Sequence, residues 1–383
     1  MKALSTRAGA VLGAALALGF HLLAWGGLGG FVARMDFNQA LFEDFMGPYL
    51  GQGQAFLAGA DQPVAGFLYS PFFGQLMEPL AMLGPQAASW VWLAVLVLAC
   101  AVLLALGPVL LGAQQRRELG PLGAGLLSFL GLTSVPILHG LYWGQVSAPL
   151  MALTLLGCVL AARGRSVLGG ALVGLAGALK FYPLAFGLLL VARRDRRAVG
   201  TMGLTFVVAA GVLPMLELGA RGTVTFYGAL GDALLQARAG AWVDADASQY
   251  GAAWLARLWQ SAPALLLHGL SRILAVVLCV RIVRDLWQGP AERELHARTA
   301  AFACVLPLWL EPAWPHYLAY LPFAMVLAYS RGPLGRASAL LSGLLSGAVL
   351  FRLLDDHARF GASGVMLIAS LVLLPALLRP DAS

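Results

Sequence analysis

Residues 86–112 read QAASWVWLAVLVLACAVLLALGPVLLG, 27 residues without one charged side chain. As a helix this run is about 40 Å long at 1.5 Å per residue, against roughly 30 Å of hydrocarbon in a bilayer. A helix apolar on every face over that length belongs in lipid or in a very large core. In lipid each backbone N–H and C=O must be paired, which a helix achieves within its own segment. The run has none of the residue-by-residue alternation of a barrel strand.

Similar runs occupy 8–33, 119–138, 144–161, 198–217, 264–283, 337–352 and 361–379. Composition agrees: over 383 residues, 60% are hydrophobic and only 11% charged, more apolar surface than one soluble core can hide. The expected fold class is all-α, a polytopic transmembrane helical bundle in a single integral membrane domain, 1–383. Other apolar segments are too short to cross alone: 67–83, then 167–179 with 181–192, then 299–311 with 315–330. Pro71, Pro79, Pro183, Pro312 and Pro315 interrupt them. Broken or re-entrant helices at membrane depth are tolerated only against protein or a water-filled cavity, so these segments point to a site.

The formal charge of +7 describes where the arginines sit, in short clusters between apolar runs, and does not suggest a nucleic-acid partner. Arg116 and Arg117, Arg163 and Arg165, the RRDRR run 193–197, Arg281 and Arg284, Arg293 and Arg298, Arg331 and Arg336, and Arg379 can share one side with Lys2 and Arg7. That side is the cytoplasm, which gives a multi-pass protein of the cell's inner (plasma) membrane with a cytoplasmic N-terminus. Two polar connections, 34–66 and 218–263, then lie outside as the larger extracytoplasmic loops. The N-terminal apolar run is too long for a signal-peptide core, so an uncleaved first span is expected. Cys100, Cys158, Cys279 and Cys304 fall inside apolar runs without CxxC spacing and read as small core residues. Walker loops, GxGxxG after a strand, HExxH and GxSxG are absent, and no cofactor is expected.

Few polar residues remain to carry chemistry. The first external loop offers Asp36, Glu43, Asp44 and Asp61 just beyond the first span. A carboxylate held near the membrane surface can take the proton of an incoming hydroxyl, and a solvated or capping role is the alternative. Lys180, one of two lysines, falls at the break in GALKFYPLAF, where a cation is costly unless paired or bound to an anion. In LPLWLEPAWPHYLAY, Glu311, Trp314, His316 and Tyr317 surround two prolines, a set suited to a phosphate and a sugar ring or to a packed polar contact. The turn LHGLYWGQVSAPL adds His139, Tyr142, Trp143 and Gln145, which also suit an interfacial belt. Asp244 and Asp246 form a DxD triplet that reads as chance rather than as a metal site.

Together these stretches resemble glycosyltransferase family 87, polytopic GT-C proteins that use a polyprenyl-phosphate sugar donor. The resemblance runs through DFMGPYLGQGQAFLAG (44–59), FLYSPFFGQLMEPLAMLG (67–84), YWGQVSAPLMALTLLG (142–157), GGALVGLAGALKFYPLAFGLLL (169–190) and WLEPAWPHY (309–317). It implies Asp44 as the catalytic base, followed by Phe45, Tyr49, Gly59, Tyr69 and Pro71, with Asp36 and Phe37 as a second register. It places the family's GQ turn on Gly144 and Gln145, its half-helix lysine on Lys180, and its late element on Pro312, Trp314 and His316. Tyr49, Tyr69, Gln145, Lys180, Trp314 and His316 would then bind or shape the phosphate and sugar site, as would Glu311, which stands where the family usually has a small hydroxyl residue. The implied activity is inverting transfer of a hexose, expected to be mannose, to a hydroxyl of a lipid or cell-envelope glycan acceptor, without a metal. A secondary transporter or lipid flippase, and a non-catalytic membrane subunit of the same fold, are the alternatives.

Overall fold

The computed structural model describes residues 6–26, 30, 42–239, 248–288, 292–354 and 357–379. Every regular element among the described residues is helical, apart from one isolated antiparallel bridge between Ser134 and Gly347. Among the described residues, four helices are long and apolar enough to cross a membrane: Thr6–Ala24, Pro85–Leu110, Arg196–Gln236 and Ala264–Trp287. The chain is an all-α polytopic membrane protein.

It falls into two compact units, one of Met1–Ala40, Cys100–Tyr142 and Val243–Ser383, the other of Leu41–Ala99 and Trp143–Trp242. In the second, the helix Ser166–Leu179 packs between Ser147–Ala162 and Arg196–Val207. Small residues permit the approach: a Cβ on Gly169 would lie 2.6 Å from the Gly157 carbonyl oxygen. Asp195, the acid inside RRDRR, caps Arg196–Val207 by accepting from the Ala198 N–H at 3.1 Å and from the Ser166 hydroxyl at 2.7 Å.

Of the prolines expected to interrupt the short segments, all but Pro79 fall at a helix start or in a break. Ser70 caps Pro71–Met82 with Pro71 in the first turn, the compatible place for a missing N–H, while Pro79 sits inside that helix without ending it. The helix Ser166–Leu179 stops at Lys180, whose backbone is extended, and resumes as the 3-10 turn Tyr182–Phe186 and the helix Gly187–Ala192. In the first unit, Glu292–Val305 and Leu321–Tyr329 are separated by an irregular stretch holding the short turns Leu306–Leu308 and Pro315–Leu318.

Three expected spans differ. The run 119–138 is divided between Ala113–Leu132, itself turned at Gly120 (φ 61), and Val135–Trp143. The run 337–352 breaks between Pro333–Leu345 and Ala348–Leu354, because the Ala348 N–H leaves the helix ladder for the Thr133 carbonyl at 2.7 Å. The run 361–379 becomes His357–Ala362, Val365–Leu371 and Leu374–Leu378, with Gly364 left-handed (φ 67) at the first break.

Candidate active site

Asp44 directly precedes a single π turn, Phe45–Tyr49. The turn is nailed down by aromatic packing. Phe45 stacks on Trp92 at 5.2 Å between ring centres, and the Trp92 indole N–H donates to the Gly144 carbonyl at 2.7 Å. Gly144 has φ 66, and a Cβ there would lie 2.8 Å from that of Phe45. Only glycine lets the GQ turn bend this close, and the bend delivers Gln145 to Asp44.

The Gln145 amide nitrogen donates to the Asp44 carboxylate, and the Gln145 carbonyl oxygen accepts from the Tyr49 hydroxyl at 3.0 Å. The Tyr49 and Tyr69 hydroxyls are 2.6 Å apart, and Lys180 Nζ donates to the Tyr69 hydroxyl at 3.3 Å while lying 4.5 Å above its ring. The bonds form one consistent directed line: Lys180 to Tyr69, Tyr69 to Tyr49, Tyr49 to Gln145, Gln145 to Asp44. The Ser70 hydroxyl donates to the Ala178 carbonyl, and the Ser70 N–H to that of Leu179 at 3.3 Å. These bonds tie Tyr69 to the helix end that carries Lys180.

Burial pushes the Asp44 carboxyl up to about 6 from an ordinary 3.8; the Gln145 bond and the Lys180 charge pull the other way, and Glu43 adds a little upward. Such a group is still mostly ionised at neutral pH but is a stronger base than a solvated aspartate. Tyr49 and Tyr69 are 1% and 5% exposed, so their rings pack in the core and their hydroxyls serve the chain of bonds.

The late element lies in the other unit. His316, on the turn Pro315–Leu318, is buried with Nδ1 3.1 Å from His139 Nδ1, and its ring meets Tyr317 edge-on. Trp314 is the residue before that turn and is partly buried. Glu311 is paired with Arg272 at 2.9 Å and approaches His268 at 3.7 Å, while the Tyr250 hydroxyl lies 3.0 Å from His268 Nδ1. Gln249 anchors the stretch: its N–H donates to the Ala313 carbonyl at 2.6 Å and its side-chain amide to that of Gly361 at 3.0 Å.

The structure thus gathers Asp44, Tyr49, Tyr69, Gln145 and Lys180 in one unit, and His316, Trp314 and Glu311 in the other. Asp36, the alternative base, and Asp244 and Asp246 lie outside the described residues. Sequence reasoning missed Trp92, His268 and Arg272. Arg272 carried a usable signal, a guanidinium inside the apolar run 264–283 that demands an acid. Trp92 carried none, being one aromatic in a spanning helix.

The sequence model of glycosyltransferase family 87 matches residues 67–312, nearly two thirds of the chain. The chain belongs to glycosyltransferase family 87. The family 87 match takes in Tyr69, Gln145, Lys180 and Glu311, whereas Asp44 stands 23 residues before its start and His316 four after its end. The chain is also similar to a polyprenol-phosphate-mannose-dependent alpha-(1-2)-phosphatidylinositol pentamannoside mannosyltransferase of Mycolicibacterium smegmatis, 30% identical over 167 residues. That alignment covers 44% of this chain and 39% of the relative.

Proposed function

We propose that this chain is a membrane hexosyltransferase moving a mannose-like sugar from a polyprenyl-phosphate carrier to a hydroxyl of a lipid or cell-envelope glycan acceptor. The observation that carries the reading is the hydrogen-bonded line from Lys180 through Tyr69, Tyr49 and Gln145 to a half-buried Asp44. Family membership and the mannose donor in the relative's name support it.

In the proposed step the acceptor oxygen attacks the anomeric carbon, and Asp44 takes the hydroxyl proton. The carbon–oxygen bond to the phosphate breaks, and its electron pair leaves with the polyprenyl phosphate. A single displacement of this kind inverts the anomeric centre. The leaving group is already good, so one base and some positive or hydrogen-bonding groups for the developing phosphate charge suffice. Gln145 and the two tyrosines hold the base; Lys180 supplies charge to the same cluster. His316, with His139 beside it, and Trp314 are proposed to contact phosphate and sugar. With the arginine clusters in the cytoplasm, Asp44 faces the extracytoplasmic side and the N-terminus the cytoplasm of an inner-membrane protein.

The test is mass spectrometry of envelope lipids from a deletion strain, joined to transfer assays with polyprenyl-phosphate-[14C]mannose and purified protein in nanodiscs. An under-glycosylated acceptor and label transfer are expected. A complete acceptor lipid left on the wrong face of the membrane overturns the reading in favour of a flippase.

A further inference from the structure

We propose that the unit formed by Met1–Ala40, Cys100–Tyr142 and Val243–Ser383 holds one anionic diacyl phospholipid in an open groove beside the first helix. The groove encloses about 810 Å³ and lies wholly within that unit. Its length is apolar, with Ala14, Leu104, Leu127 and Leu132 among its walls, and Arg7, Arg116 and Arg117 also line it. The first helix is fixed against Ala113–Leu132 by close backbone contact of Gly9 with Pro121 and of Gly13 with Gly125, so the groove is bounded by anchored helices.

Charge identifies the headgroup. Among the described residues none of these three arginines is paired with a carboxylate. The acid next in sequence, Glu118, accepts from Gln114 at 2.9 Å. The Thr6 hydroxyl donates to the Arg116 carbonyl at 3.4 Å, which links the two helices at this basic end. Lining one groove together, the three exposed guanidiniums create a positive potential that favours an anion there.

Length identifies the tail. From Pro121 to Leu132 the helix rises about 16 Å, half of the roughly 30 Å hydrocarbon thickness, or one leaflet. An acyl chain starting from a phosphate at the arginines therefore runs the length of the groove and stops. Free phosphate would leave the apolar walls bare, and a long polyprenyl chain would overrun one leaflet. A phospholipid is also present in the bilayer at a concentration that keeps even a weak site occupied.

Native mass spectrometry of the delipidated full-length protein, with phosphatidylglycerol or phosphatidylcholine of identical chains, reads this directly. Each arginine near an anionic lipid surface is worth roughly a fivefold preference, so at least about a tenfold preference for phosphatidylglycerol is expected. The triple variant Arg7→Gln, Arg116→Gln, Arg117→Gln should bind both lipids equally and elute as wild type on size exclusion. Ser128→Trp, which fills the groove, should lower retention of both. Equal retention by wild type, or a preference that survives the triple variant, overturns the proposal. So does displacement of phosphatidylglycerol by equimolar polyprenyl phosphate or by inorganic phosphate. Since the readout is lipid retention and not sugar transfer, failure here leaves the proposed transferase activity untouched.

Discussion

Replacing Asp44 by Asn should trade activity for stability, and both halves follow from the same burial. Asp44 is raised from 3.8 to about 6 mainly because ionising it inside the protein is unfavourable. About two units at 1.36 kcal/mol each place the penalty near 3 kcal/mol, with roughly half of that expected in practice because the carboxylate is only partly withdrawn from water. The sign is fixed by proton binding: between pH 4 and 6 the folded state holds the proton that the unfolded state has lost. Stability therefore falls as pH rises through that window, and the full penalty applies above it. Asp44→Asn removes the charge while keeping an oxygen for the Gln145 amide. It should raise the midpoint of thermal unfolding in nanodiscs at pH 7 and leave it unchanged near pH 4, where wild type is neutral too. Transfer from polyprenyl-phosphate-mannose should fall about 100- to 10,000-fold, the usual worth of a general base. Transfer at the wild-type rate, or a stability gain that persists at pH 4, would refute the reasoning.

The wild-type rate should rise about tenfold per pH unit below 6 and level off above it, as expected if Asp44 is the base. Gln145→Leu deletes a bond that lowers the Asp44 value, so that limb should move to higher pH, with a larger loss at pH 6.5 than at pH 8. A loss equal at all pH values would instead mark Gln145 as a ligand of the substrate. Lys180→Met should shift the limb the same way, whereas Lys180→Arg should largely preserve it. Gly144→Ala should destabilise the protein by about 1–3 kcal/mol and depress kcat, because the new Cβ meets Phe45 and the left-handed backbone resists a side chain.

What the chain reveals before folding follows from how local each cause is. The spanning run at 86–112 and the break at Lys180 are legible because hydrophobic length and proline act on adjacent residues. The breaks near Gly347 and Gly364 are not. The first depends on bonds between 133–135 and 346–348, a pairing across more than 200 residues with no local signature. The same limit explains Gln145. Its neighbours mark it as a polar group at a turn, suited to a sugar, whereas its partners are Asp44, 101 residues away, and Tyr49, 96 away. Likewise Tyr69 reads as an aromatic platform until its hydroxyl is found 111 residues away beside Lys180.

Glu311 adds negative charge to a stretch expected to meet phosphate. Here that charge is already engaged: Arg272 lies 2.9 Å from one carboxylate oxygen, with the Glu311 side chain 8% exposed and that of Arg272 50% exposed. Removing one partner should therefore hurt more than removing both, since a lone ion in a mostly enclosed place lacks both water and a counter-charge. Arg272→Leu strands the enclosed Glu311 carboxylate and should lower the unfolding midpoint. Adding Glu311→Ser should recover much of that loss, and the double-mutant cycle measures the coupling. Independent, additive effects would mean that the pair is a surface contact, leaving the acid free to repel an anionic substrate. Strong coupling, with transfer retained in the double variant, would place Glu311 in the support of the Trp314–His316 turn rather than in the chemistry.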